Sequence, residues 1–185
     1  MPNFFTRKGD DGTTGFLGNG RVSKSDALIE TLGCLDEASA ALGVVRAGDA
    51  DPDAQKMILE IQQDLYKIMA EEAASAENKE KFQKLDDSRV AWLEGCIDHF
   101  SSMVEIPKEF ILPGETPSAA AVSFSRTVVR RAERRLVGLN SNPEKINPIL
   151  LQYLNRLSSF CFVLELFESN KSGNKPTYSK GESSN

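Results

Sequence analysis

Apolar residues recur along most of this chain at intervals of three and four, the period of helices buried along one side. From Ser25 the series Leu28, Leu32, Leu35, Leu42 and Val45, with Ala38 and Ser39 at small positions and Gly48 closing it, predicts a first helix. A second starts at the Asp51-Pro52 signal, carries Ile58, Ile61, Leu65, Ile68 and Met69, and ends in a polar run through about Lys84. Val90, Leu93, Ile97, Phe100 and Met103 follow an acidic first turn and mark a third. The stretch "EIPKEFILPGETP" is broken by Pro107, Pro113 and Pro117 and reads as an extended connector. A fourth helix spans 118–139 and a fifth 148–169, separated by "NSNPEKINP".

The ends differ from this middle. Gly9, Gly12, Gly15, Gly18 and Gly20 lie among hydroxyl and charged side chains in a leader, residues 1–24, suited to turns and extended backbone. After residue 168 the chain is polar and proline-broken, a tail expected to be mobile unless something holds it. Residues 25–168 therefore form one all-α, up-and-down five-helix bundle, with the leader part of the same domain and 169–185 a tail.

Bulk properties narrow the function. With 185 residues, 40% of them hydrophobic, the chain can bury one core unaided, and a net charge of -5 gives no general attraction for nucleic acid or anionic lipid. Cys34, Cys96, Cys161 and the single His99 are scattered, so no structural zinc site is expected. The first residues lack an apolar signal core, and no apolar run reaches the roughly 20 residues of a bilayer span. A soluble protein of the reducing cytoplasm, without membrane or nucleic-acid partners, fits these features.

Charge on the fourth helix needs an explanation, because "RTVVRRAERR" sets five arginines beside one glutamate. At a helical pitch Ser123, Arg126, Arg130 and Glu133 fall within roughly 80° of one another, with Val122, Val129, Ala132 and Leu136 on an adjacent apolar arc. Such a helix packs on both flanks and turns its polar stripe to a cleft or a second subunit. Pairing of Arg126 or Arg130 with Glu133 or Asp36 is one way to neutralise the stripe. The arginines outnumber the nearby acids, however, and Arg131 and Arg135 suit solvated positions. In the leader, glycines allow backbone N–H groups to approach an anion, Thr6, Thr13 and Thr14 supply hydroxyls, and Lys8, Arg21 and Lys24 supply charge, a composition that suits phosphate. Phe110, in "FILPG", suits either the core or a pocket wall, and hydrophobicity alone favours the core.

Together "TRKGDDGTTGFLG", "RVSKSD", "LGCLDEASAALG", "FILPG", "SRTVVRRAER" and "YLNRLSSFCFVL" resemble, in order, the PduO-type ATP:cob(I)alamin adenosyltransferases. The resemblance implies a ferritin-like five-helix bundle with a glycine-rich ATP-binding loop. It further implies a homotrimer with active sites between subunits, using ATP with Mg2+ and a cobalamin substrate. By position, Thr6, Arg7, Lys8, Gly9, Thr14, Gly15 and Lys24 would hold the nucleotide and its phosphates, with Asp10 and Gly12 shaping the loop. Arg130, Arg131, Glu133 and Arg134 match the helix that grips ATP from the neighbouring subunit, and Asn155 matches a nucleotide-contacting asparagine. Asp36 and Arg126 match a pair linking loop, helix and corrinoid site, and Phe110 matches the wall under the corrin; with Arg130 these are the expected catalytic set. Ser123 and Ser159 stand where the family usually has histidine and aspartate. A flavin-dependent reductase and an adenosylcobalamin-dependent enzyme are the implied partners. A carrier that binds the same ligands without reacting them, and a purely structural bundle, are the competing readings.

Overall fold

The computed structural model describes residues 5–18, 20–75, 77–139, 147–171, 173 and 176–180. Five long helices carry the architecture, each beginning where the sequence supplies a cap. Asp26 accepts from the Leu28 N–H at 2.8 Å to start α1 (Ala27–Ala47), and Asp51 accepts from Asp53 at 2.9 Å ahead of Pro52 to start α2 (Pro52–Glu72). A four-residue turn, α3 (Lys79–Phe82), lies in what the sequence suggested was the polar end of the second helix. Asp86 caps α4 (Asp87–Ser101). Thr116 Oγ1 accepts from Ala119 at the start of α5 (Pro117–Leu139), and Asn147 accepts from Ile149 at the start of α6 (Pro148–Lys171).

The bundle's most extensive contacts join α5 to α6 and α1 to α5, so α5 is packed on both flanks as its two apolar arcs require. Ala38, Ala41 and Ala132 are buried and let helices approach closely, while Leu35, Leu42, Ile61, Leu65, Leu136 and Leu157 fill the interior. One buried polar node crosses it. Asp64, fully enclosed, accepts from Tyr153 Oη at 2.9 Å, from Arg89 Nε at 2.8 Å and from Lys67 Nζ at 2.8 Å. Arg89 also lies over the Trp92 ring at 4.0 Å. This node ties α2, α4 and α6 together and satisfies a carboxylate that would otherwise cost several kcal/mol to bury.

By length and composition α6 could cross a membrane, but most of it is buried inside the bundle, as befits a central helix. Two short ribbons complete the fold. In the leader, β1 (Thr13–Gly15) pairs antiparallel with β2 (Arg21–Ser23), Thr14 opposite Val22. In the connector, β3 (Ile111–Leu112) pairs antiparallel with β4 (Thr177–Tyr178) of the tail. Neither ribbon follows from a strand pattern in the sequence. The second shows that part of the tail is held by the chain itself.

Candidate active site

The leader is folded on itself by its own cations. Arg21 donates to the Lys8 carbonyl at 2.5 Å, to Thr13 Oγ1 at 2.7 Å and to the Thr13 carbonyl at 3.0 Å; Lys24 Nζ donates to the Gly9 carbonyl at 2.7 Å. Thr6 Oγ1 accepts from the Lys8 N–H at 3.4 Å, and Arg7 sits at φ 60°, a left-handed conformation unusual for a side-chain-bearing residue. Gly12, at φ 81°, gives its carbonyl to the Lys24 N–H at 2.9 Å. Asp10 donates its N–H to the Arg7 carbonyl at 3.3 Å. Thr14 and Gly15 lie on β1, while Thr6 to Gly12 precede it and Lys24 follows β2, so the leader residues singled out from the sequence sit in or beside one hairpin.

That hairpin is rooted on the bundle. Leu17 exchanges backbone hydrogen bonds with Ala73 and Ser75, just beyond α2, at 2.8 and 2.9 Å. Gly18 permits the approach: a Cβ there would meet the Ser75 Cβ at 2.7 Å. Beneath the root lie Glu71 and Glu72, whose carboxyls burial pushes above the ordinary range. Asn147 donates to Glu71 Oε1 at 3.1 Å, while Oε2 of Glu71 has no hydrogen-bond partner among the described residues.

On α5 the arginines divide into two groups. Arg131 pairs with Glu37, and Arg135 with Glu30 at 3.4 Å, both on α1. Among the described residues Arg130 and Arg134, both exposed, form no ion pair. The pairing of Arg126 or Arg130 with Glu133 or Asp36 is not found within the chain. Glu133 instead accepts from Asn155 Nδ2 at 3.3 Å, and Asp36 is exposed. Arg131, grouped with the nucleotide-gripping residues by resemblance, is thus occupied by Glu37. No hydrogen bond or ion pair links the described leader to α5 within one chain.

One turn before Arg130, about 6 Å along the axis, α5 forms a wall of a cavity of about 380 Å³. Ser123, Arg126 and Thr127 line it from α5, Phe162 and Glu165 from α6, and Phe110 from the connector. Phe110 is 87% exposed and lines the cavity, so of the two places its hydrophobicity left open, core or pocket wall, it takes the wall. The reason is local: its carbonyl accepts from the Ser179 N–H at 2.9 Å and Ile111 is paired to Tyr178, so the connector is held off the bundle with the ring outward. Among the described residues the buried Nε of Arg126 has no hydrogen-bond partner. Glu165 is 3% exposed; burial raises its carboxyl above the usual range, against the opposing influence of Ser123 and Arg126. Sequence reasoning passed over Glu165, although an acid in the apolar run "FCFVLELF" was the available signal. Cys161, wholly buried beside this cavity, is pushed up to about 12 and is no nucleophile at neutral pH. Ser159 is exposed, its hydroxyl 3.5 Å from the Asn155 carbonyl.

A helical bundle with an apolar cleft beside a row of unneutralised guanidinium groups is a fold for a bulky ligand and an anion together. The family model described as "Cobalamin adenosyltransferase" matches residues 4–168, and the chain belongs to that family. It is 36% identical over 168 residues to a corrinoid adenosyltransferase of Mycobacterium tuberculosis, covering 89% of this chain and 87% of the relative. It is 38% identical over 161 residues to corrinoid adenosyltransferase PduO of Salmonella typhimurium, covering 86% of this chain but 48% of that relative, so the chain spans about half its length. Among solved structures it resembles a phenylalanine-to-alanine variant of a PduO-type ATP:corrinoid adenosyltransferase from Lactobacillus reuteri, complexed with cobalamin and ATP. The TM-score is 0.88 at 28% identity, covering 97% of this chain and 100% of that one. An arginine-to-lysine variant from the same organism, complexed with ATP, aligns at TM-score 0.85 and 29% identity over 95% of this chain and 99% of that one.

Proposed function

We propose that the protein is a corrinoid adenosyltransferase, moving the 5′-deoxyadenosyl group of ATP to cob(I)alamin to give adenosylcobalamin and triphosphate. The observation that carries this reading is the apolar, Phe110-walled cavity one helical turn from Arg130, with Arg130 and Arg134 free of counter-ions. Cob(I)alamin is a powerful nucleophile, so the protein needs no activated serine or cysteine of its own. Its work is to align cobalt with the 5′ carbon opposite the leaving triphosphate, and to stabilise that anion. Arg130 and Arg134, with Lys8, Lys24 and the N–H groups of the leader, are suited to the triphosphate. Glu133 and Asn155 fix the edge of that surface.

Phe110 acts on the corrin side. An axial ligand on cobalt makes reduction to the cob(I) state harder, and an outward phenyl ring at the cavity mouth excludes water and the lower base. Magnesium belongs with the nucleotide. Among the described residues no three metal-binding side chains cluster, which suits an ion carried by phosphate oxygens with most of its water. Glu133, the one carboxylate on α5, suits the outer hydration shell of such an ion, which would supply charge neutralisation at the triphosphate.

A homotrimer completes this site. The leader, Asp36 and Arg126 are unjoined within one chain, and exposed Val44, Phe124 and Val137 on α1 and α5 offer apolar surface to a second copy. Asp36 of one copy would then neutralise Arg126 of another. The free thiols of Cys34, Cys96 and Cys161 suit a reducing cytoplasm, with a flavin-dependent reductase upstream and an adenosylcobalamin-dependent enzyme downstream. Incubation with MgATP and cob(I)alamin, following the Co–C absorption and triphosphate, tests the reading: both should appear in equal amounts. Binding of both ligands without product would instead identify a carrier.

A further inference from the structure

Glu133 follows Arg130 by three residues on α5, a spacing at which opposite charges on a helix ordinarily pair, and it directly precedes Arg134. Among the described residues it forms an ion pair with neither. Its carboxylate is turned instead toward α6, where Oε1 accepts from Asn155 Nδ2 at 3.3 Å. Asn155 is held in turn by its neighbour: Arg156 Nη1 donates to Asn155 Oδ1 at 3.1 Å, and Arg156 Nε donates to Glu94 Oε1 of α4 at 2.8 Å. The two ends of this row set its direction. A guanidinium only donates and a carboxylate only accepts, so the Asn155 amide must show its oxygen to Arg156 and its nitrogen to Glu133.

The row keeps a cation open. Released from Asn155, the Glu133 carboxylate would swing to Arg130 and neutralise a group that the nucleotide reading of α5 assigns to the triphosphate. Resting on that reading, we infer that Arg156, anchored by Glu94, is a positioning residue: it orients Asn155 so that Glu133 is held toward α6 and Arg130 stays available to the anion. Arg156 and Glu94 are both substantially exposed, so their ion pair adds little to folding stability and what it contributes is direction. A triphosphate at saturating concentration displaces a stray Glu133 from Arg130. Breaking the row therefore weakens capture of the nucleotide and leaves the bound complex much as it was.

Arg156→Met keeps an apolar stem and removes the donors, so it breaks the row with little disturbance of packing. The measurements are equilibrium binding of MgATP, KM and kcat in adenosyl transfer, and cob(II)alamin binding by visible spectroscopy. The variant should weaken MgATP binding and raise its KM by about tenfold, with kcat, corrinoid binding and melting temperature nearly unchanged. Glu133→Gln supplies the deciding background. With no carboxylate left to fall on Arg130, adding Arg156→Met should weaken MgATP binding by no more than about twofold. An equal loss in both backgrounds would mean that Arg156 meets the nucleotide itself, and overturns the inference; so does a loss confined to kcat, or no loss at all. A wild-type protein that binds no MgATP ends the inference together with the nucleotide reading. If MgATP binds and the two backgrounds differ as expected while no adenosylated product forms, the transferase reading fails and the positioning role of Arg156 stands.

Discussion

The two halves of the candidate site are built in opposite ways. The proposed corrin side is a cavity present before any ligand arrives, its walls set by α5 and α6 and by a connector pinned to the tail. The proposed nucleotide side is a set of parts: a hairpin stitched by Arg21 and Lys24, and the exposed Arg130 and Arg134, which form no ion pair among the described residues. Packed helices can preform a mostly apolar pocket whose electrostatic cost is confined to the buried Glu165 and Arg126. A dense cationic site repels itself until its anion is present, so leaving it divided between a loop and a helix face limits that repulsion.

The sharpest way to break this comparison is Arg130→Ala. Loss of an anion donor that acts on the leaving triphosphate should lower kcat/KM by about 2–4 kcal/mol, while an exposed arginine without partners leaves the melting temperature nearly unchanged. Near-normal turnover in an assembled protein would reject its role. Phe110→Ala addresses the other half. Turnover with reductant-supplied cob(II)alamin should fall by about tenfold, roughly 1.4 kcal/mol, with little change in MgATP affinity. Equal losses in both would place Phe110 in general structure, a reading its exposure already disfavours.

The hairpin's root gives a smaller effect, read by pH. Glu71 has a raised carboxyl pKa in the folded state, so the folded protein binds its proton more tightly than the unfolded chain does. Stability is therefore lost as pH rises from the ordinary glutamate value, about 4.3, through the raised one. Glu71→Gln should raise the melting temperature at neutral pH, by about 2–4 °C for each kcal/mol recovered, and the gain should vanish as the pH falls to the ordinary glutamate range. A pH-independent difference would mean that the carboxyl is not titrating there. Smallest of all should be Arg135→Ala. Its exposed pair with Glu30 is worth at most about 1 kcal/mol, and adenosyl transfer should be unaffected. A large loss of activity would erase the distinction between the occupied and the free arginines of α5.

What the sequence disclosed follows from the period of its packing. Leu35, Leu42, Ile61, Leu65 and Leu136 recur at helical spacing and are all buried, so the five long helices were legible, as was the Asp51 start signal before Pro52; the Thr116 and Asn147 caps were not read from the sequence. The ribbons were not, because β1 and β2 span three residues each and β3 and β4 two, too short to show alternation. Hydrophobicity alone could not choose between core and wall for Phe110, because what holds its segment outside is a backbone bond from Ser179, far along the chain. Which arginines were free was likewise hidden, since the acids that occupy Arg131 and Arg135 lie on another helix, at Glu37 and Glu30. Glu165 escaped notice among apolar neighbours that made its helix look like plain core.

The short ribbon between connector and tail has a practical meaning for anyone handling this protein. Because Thr177–Tyr178 and the Ser179 N–H grip the strand beside Phe110, this stretch of the tail serves as a guy-rope for the proposed corrin wall. A nick between α6 and Thr177 would leave every long helix intact and slacken that rope, giving a preparation that still takes up nucleotide yet handles its cobalt substrate poorly.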